Sequence, residues 1–208
     1  MTALCTSLRD KPYTRIQAFA EVIGTLVSCF PGAVYGPLYY RSLEADKTNA
    51  LKLSRGDYQG MMYVSASGIN DLTWWIDNIA TVFSPLEHGN PDTTIFSDAS
   101  HTGYGFTRSD IPDCSGGGLW NNSECQLHIN CLELKAALFA LKATCDSLRN
   151  KHIRIMSDNV TTVAYIREMG GCRSPECNEV AKQIWEWAIS HSNWISSAHY
   201  PRCTKCRG

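Results

Sequence analysis

The chain has 208 residues, a net charge of −1 from 19 basic and 20 acidic side chains, and an ordinary apolar share of 44%. That length suits one sizeable domain or a small pair, and the charge balance holds on both sides of residue 90. No basic tail or global positive field exists, so any contact with nucleic acid rests on a local patch.

No apolar run approaches the roughly 18 to 20 residues that span a bilayer, and no membrane partner is expected. The ten cysteines are scattered, and Met1-Thr2-Ala3-Leu4 lacks signal-peptide character. Reduced thiols in cytoplasm or nucleus are therefore expected.

Ile16, Phe19, Ile23, Leu26, Val27 and Phe30 recur at helical spacing over residues 14–30, and Pro31-Gly32 closes the segment. Residues 37–53 open on Pro37, which suits a first helical turn, and predict a helix or a broken one. Leu72, Trp75, Ile76 and Ile79 follow the helical rule behind Ser65-Ala66-Ser67-Gly68. Residues 1–90 thus read as all-helical. The stretch 84–92, dense in Pro, Gly and Asn, reads as a connector, and a domain boundary is placed there.

Beyond it the pattern predicts a strand at 93–98, a turn around Ser100 to Gly103 and a strand at 103–108. A glycine-rich loop, Ser115-Gly116-Gly117-Gly118, then leads into Leu119-Trp120, and these pieces read as an antiparallel meander. A helix at 131–148, a strand at 152–157, helices at 159–169 and 175–191 and a strand at 194–199 follow.

Asp98 closes the first of these strands, Glu133 rides on a run of strong helix formers, and Asp158 closes the strand at 152–157. A strand, helix and strand in that order cross over so that the two strands run parallel with their carboxyl ends together. Asp98 and Asp158 are then neighbours. Glu133 shares a helix face with Ala136, Ala137 and Ala140, small residues that let a helix sit close on a sheet, which aims the carboxylate inward. A buried carboxylate needs a partner, and a divalent cation suits oxygen-only ligands. Each acid also has a local alternative: an Asx turn for Asp98, a capping box of Asn130 with Glu133, and a helix cap for Asp158.

These residues lie in four ordered blocks: Thr94-Ile-Phe-Ser-Asp98-Ala-Ser-His-Thr-Gly-Tyr-Gly105, His128-Ile-Asn-Cys-Leu-Glu133-Leu-Lys-Ala136, Met156-Ser-Asp158-Asn159 and Ser197-Ala198-His199-Tyr-Pro201. In them the chain resembles the ribonuclease H domain of reverse transcriptases, most closely those of DIRS-like retroelements. Upstream, Ala33 to Lys47 with its Gly-Pro-Leu-Tyr-Tyr-Arg core, and Leu72 to Asn78 with Trp74-Trp75, resemble the thumb and connection region that precedes that domain. The polymerase palm has no counterpart here.

The resemblance implies an α/β fold, a ribonuclease H-like mixed five-stranded sheet flanked by helices, over residues 91–208, preceded by a small all-helical region over 1–90. It implies cleavage of RNA in RNA:DNA hybrids by two Mg²⁺ ions, with Mn²⁺ as an alternative, within a reverse transcriptase polyprotein. Asp98, Glu133 and Asp158 match the family's metal-binding carboxylates, and His199 matches a residue that assists product release. Ser100 and Asn130 stand beside these acids as polar groups for 2′-hydroxyls, and Asn159, Thr161 and Thr162 for phosphate oxygens at a helix start, with ordinary capping as the alternative.

The chain departs from the pattern at its end. After Pro201 it reads Arg-Cys-Thr-Lys-Cys-Arg-Gly, and the family's fourth aspartate is missing, which implies a truncated C-terminus and one loosened metal position. A catalytically impaired fragment that binds nucleic acid or a protein partner is the alternative function. Cys203 and Cys206 have the spacing of half a zinc knuckle, which Cys172, Cys177 or His199 could complete.

Overall fold

The structure is a computed structural model that describes residues 1–201. The chain divides into two compact units, Met1–Leu86 and Glu87–Gly208.

The first unit comprises helices α1 (Thr2–Asp10), α2 (Ile16–Ser28), α3 (Arg41–Leu53) and α4 (Ala66–Asn78), with a two-stranded ribbon of β1 (Tyr13–Arg15) and β2 (Met61–Tyr63). Ile16, Phe19, Leu26, Leu43, Leu72 and Trp75 are buried in its core. The helical periodicities of α2 and α4 are those read from the sequence, while α1 and the ribbon are additions to that reading. Helix α3 begins at Arg41 rather than Pro37, because Ala33 to Tyr39 turns on itself through Gly36 N–H to Ala33 O (2.8 Å) and Leu38 N–H to Tyr35 O (3.0 Å). Gly36 is required there: a Cβ would stand 2.8 Å from the Trp75 ring. The start of α3 is held from α4, where Asp71 Oδ2 accepts the Ser42 amide at 3.1 Å.

The second unit contains β3 (Thr93–Ala99), β4 (Gly103–Arg108), β5 (Ser115–Leu119), α5 (Ile129–Thr144), β6 (His152–Ser157), α6 (Val160–Arg167), α7 (Pro175–Ser190) and β7 (Trp194–His199). The sheet order is β5-β4-β3-β6-β7; β3, β4 and β5 are antiparallel neighbours, and β3, β6 and β7 run parallel. The expected mixed five-stranded sheet flanked by helices is therefore present. Helix α5 packs across β3 and β4 and against α7, while α6 packs on β6 and β7. Its alanines 136, 137 and 140 are fully buried, which lets α5 lie close to the sheet.

The glycine-rich segment is an edge strand, not a loop. Gly116 and Gly118 leave room for the rings of Phe106 and Tyr104, since a Cβ would come 2.7 Å and 2.9 Å from them. Among the described residues no helix is long and apolar enough to cross a membrane.

Candidate metal centre

Strand β3 alternates strictly: Ile95, Ser97 and Ala99 are buried, while Asp98 projects to the exposed side opposite Gly105 of β4. The parallel ladder pairs Phe96 with Met156, so Asp98 and Asp158 each lie two residues beyond the same rung. Glu133 enters from α5 and is 2% exposed. One carboxylate oxygen from each of Asp98, Glu133 and Asp158 lies within 4.8 Å of the others.

The local alternatives for these acids do not describe the observed caps. Helix α5 is capped by His128, whose Nδ1 accepts the Asn130 amide at 3.2 Å, so Asn130 lies inside the helix and forms no capping box with Glu133. Helix α6 is capped by Asn159, whose Oδ1 accepts the Thr162 amide at 3.0 Å, leaving Asp158 one residue outside the cap. The hairpin after β3 is closed by Ser100, whose Oγ accepts the amides of Thr102 and Gly103 at 3.3 and 3.2 Å.

The remaining residues singled out from the sequence divide by accessibility. Asn130 Oδ1 accepts from Asn159 Nδ2 at 2.9 Å, which ties the starts of α5 and α6 together beside the acids. His199 is exposed at the end of β7, with Nε2 3.2 Å from the Asp158 carbonyl oxygen. Thr161 is half-buried, and Ser100 is exposed but engaged in its turn. Thr162, by contrast, is fully buried: the third residue past the Asn159 cap faces the interior. Cys203 and Cys206 lie outside the described residues; of their suggested partners, Cys177 is buried and Cys172 exposed.

Two contributors escaped the sequence reading. His128 is a less common capping residue than Ser, Thr, Asp or Asn, so the start of α5 carried no familiar signal. Ser157 is buried and its Oγ accepts the Asn159 amide at 3.1 Å, holding the turn that carries Asp158.

The donor set fits a hard divalent cation. Three like charges crowded to this degree repel, and a cation offsets that repulsion. The three oxygens, within 4.8 Å of one another, are close enough to approach a shared divalent cation. Burial pushes the neighbouring Cys131 thiol up to about 11.

Comparison with known proteins gives likeness in structure alone. No family model matches the chain, and no curated protein matches it. The ribonuclease H1 of Halobacterium salinarum is similar over 53% of this chain and 86% of its own, with 18% identity and a TM-score of 0.43. LC11 ribonuclease H1, solved in complex with an RNA/DNA hybrid, is similar over 56% of this chain and 91% of its own, with 16% identity and a TM-score of 0.46. A foamy viral protease-reverse transcriptase, also in complex with an RNA/DNA hybrid, covers 100% of this chain at 9% identity and a TM-score of 0.35. This chain spans 29% of that protein. The fold is ribonuclease H-like, as the order and direction of its own strands show.

Proposed function

We propose that the chain is an endonuclease that hydrolyses RNA in RNA:DNA hybrids, and that it is part of a reverse transcriptase polyprotein of a DIRS-like retroelement. The observation that carries this reading is the meeting of Asp98, Glu133 and Asp158 within 4.8 Å at one sheet edge. On this reading residues 1–90 are the thumb and connection region and residues 91–208 the nuclease.

Asp98, Glu133 and Asp158 would hold two Mg²⁺ ions, which supply an activated water and stabilise the leaving oxygen of a phosphodiester. The protein's own part is positioning. The buried Glu133 is fixed by helix packing, while the exposed Asp98 leaves the opposite side of the centre open to a phosphate. Asn130 and Asn159, joined by a hydrogen bond, present a polar edge on which a 2′-hydroxyl and an adjacent phosphate can rest. His199, exposed beside the Asp158 backbone, would assist product release on this reading.

The test incubates the purified chain with an end-labelled RNA:DNA hybrid in Mg²⁺ and in Mn²⁺. Cleavage of the RNA strand alone, leaving 5′-phosphate and 3′-hydroxyl ends and lost in Asp98→Asn, is expected. No cleavage at high protein concentration, with circular dichroism showing an intact fold, refutes the enzyme and leaves a binding domain.

A further inference from the structure

The first unit exposes aromatic rings that its own core does not use. Alternation along the ribbon turns Met62 inward, 5% exposed, and Tyr13, Met61 and Tyr63 outward, 51%, 47% and 73% exposed. Tyr13 and Tyr63 face each other across the two strands with ring centroids 4.5 Å apart and planes tilted by 36°. Arg15, also exposed, stands opposite Met61 in the next outward position.

The same edge continues past the ribbon. The Gln17 amide donates to Tyr58 O at 2.9 Å, and Gln59 Nε2 donates to Gln17 Oε1 at 2.6 Å. Tyr58, 47% exposed, lines an open cavity of about 530 Å³ with Lys52 and Arg55 at the end of α3. Arg55 adopts a left-handed conformation (φ 54°) followed by Gly56 (φ 88°), which turns the chain out of the helix.

Of the acids along this line, Glu44 is paired with Lys47 at 2.8 Å, while Asp57 and Glu21 keep their charge and accept from the Gln59 amide and Gln17 Nε2. Arg15, Lys52 and Arg55 form no ion pair among the described residues. Solvent-facing rings interleaved with open cations are what a single nucleic-acid strand needs, with bases stacking on the rings and phosphates meeting the cations. The core of a protein interface is instead depleted of charge.

We propose that this strip is a sequence-independent track for a single nucleic-acid strand. Bases stack on Tyr13, Tyr63 and Tyr58, and phosphates lie on Arg15, Lys52 and Arg55. The track shares no residue with the carboxylate centre, so the two readings fail separately.

The test measures fluorescence anisotropy of a labelled oligothymidylate of about 20 nucleotides, longer than the largest site sizes of about 16, bound to the full chain in EDTA, where no metal-dependent cleavage operates. Tyr13→Ala/Tyr63→Ala is expected to weaken binding about tenfold or more, while Tyr13→Phe/Tyr63→Phe binds like the parent because the rings remain. Lys52→Ala/Arg55→Ala is expected to make the slope of log affinity against log salt shallower by about 1.4. Circular dichroism checks that each variant is folded. No binding by the parent, or equal binding by the alanine pair, overturns the proposal. So does self-association, seen by sedimentation, that the alanine pair abolishes without changing oligonucleotide binding.

Discussion

Glu133→Gln is expected to raise the melting temperature of the metal-free protein and to remove its stabilisation by Mg²⁺. Glu133 is 2% exposed and shares a sphere of 4.8 Å with two other carboxylates. Two unit charges at that separation repel by about 0.9 kcal/mol at the dielectric constant of water and by about 3.5 kcal/mol at an effective value of about 20. Asp98 is exposed, so solvent screens its share toward the lower figure. Summed over its two neighbours, with Asp98 at the lower figure and Asp158 between the two, a relief of about 2–4 kcal/mol follows, and desolvation of the buried carboxylate acts in the same direction. For a chain of this size about 2–4 °C accompanies each kcal/mol, so the variant melts about 4–16 °C higher in EDTA. Mg²⁺ at about a hundred times its dissociation constant adds about 2.7 kcal/mol to the parent, which offsets much of that gap. Thermal melts by calorimetry in EDTA and across a Mg²⁺ series read both effects. A variant that melts lower than the parent in EDTA, with a parent indifferent to Mg²⁺, refutes the reasoning: the carboxylates would then be mutually satisfied by protein groups.

Gly117→Ala is expected to destabilise by about 1–3 kcal/mol, because its Cβ would stand 2.4 Å from the Tyr104 carbonyl oxygen, whereas Gly24→Ala, with open space inside α2, stabilises by about 0.5–1 kcal/mol. Urea denaturation of the two variants separates a backbone clash from a helix propensity gain. Asp110 is held well below the usual carboxylate range, first by its hydrogen bond from Arg108, and it also accepts from Thr93. Its folded pKa is depressed, so its contribution is complete above the unfolded value of about 3.9 and is lost as pH falls through the folded value. Asp110→Asn is expected to flatten the acid side of a stability-versus-pH curve below about pH 4 and leave neutral pH comparatively unaffected in slope. Asn159→Ala removes the α6 cap and should cost about 1 kcal/mol, read as a shifted denaturation midpoint at unchanged slope.

Strands β4, β6 and β7 were legible residue for residue, because runs of strand-forming residues bounded by turn signals mark their limits. Strand β5 was not, because three consecutive glycines carry no alternation; its pairing is dictated by the rings of Tyr104 and Phe106 on the neighbouring strand. The ribbon was hidden for a related reason, since three-residue strands give too short a pattern beside strong helical periodicity. At the centre, the meeting of Asp98 with Asp158 followed from the parallel direction that a strand-helix-strand crossover gives its two strands. The burial of Thr162 did not, because it depends on how α6 is rotated about its axis once Asn159 has taken the cap.

The three carboxylates are held by constraints of different kinds. Asp98 lies in the β3 ladder, opposite Gly105, and moves only if the sheet moves. Asp158 follows Ser157, whose buried hydroxyl holds the Asn159 amide, and Asn159 in turn donates to Asn130 on the same helix as Glu133. The Asn159–Asn130 hydrogen bond thus ties the residue after Asp158 to the first turn of the helix that carries Glu133. Asn130→Ala would break that link without removing any carboxylate. A loss confined to it would separate Glu133 from Asp158 and leave the register of Asp98 untouched, so weakened Mg²⁺ stabilisation with an unchanged metal-free melt is the signature of this link.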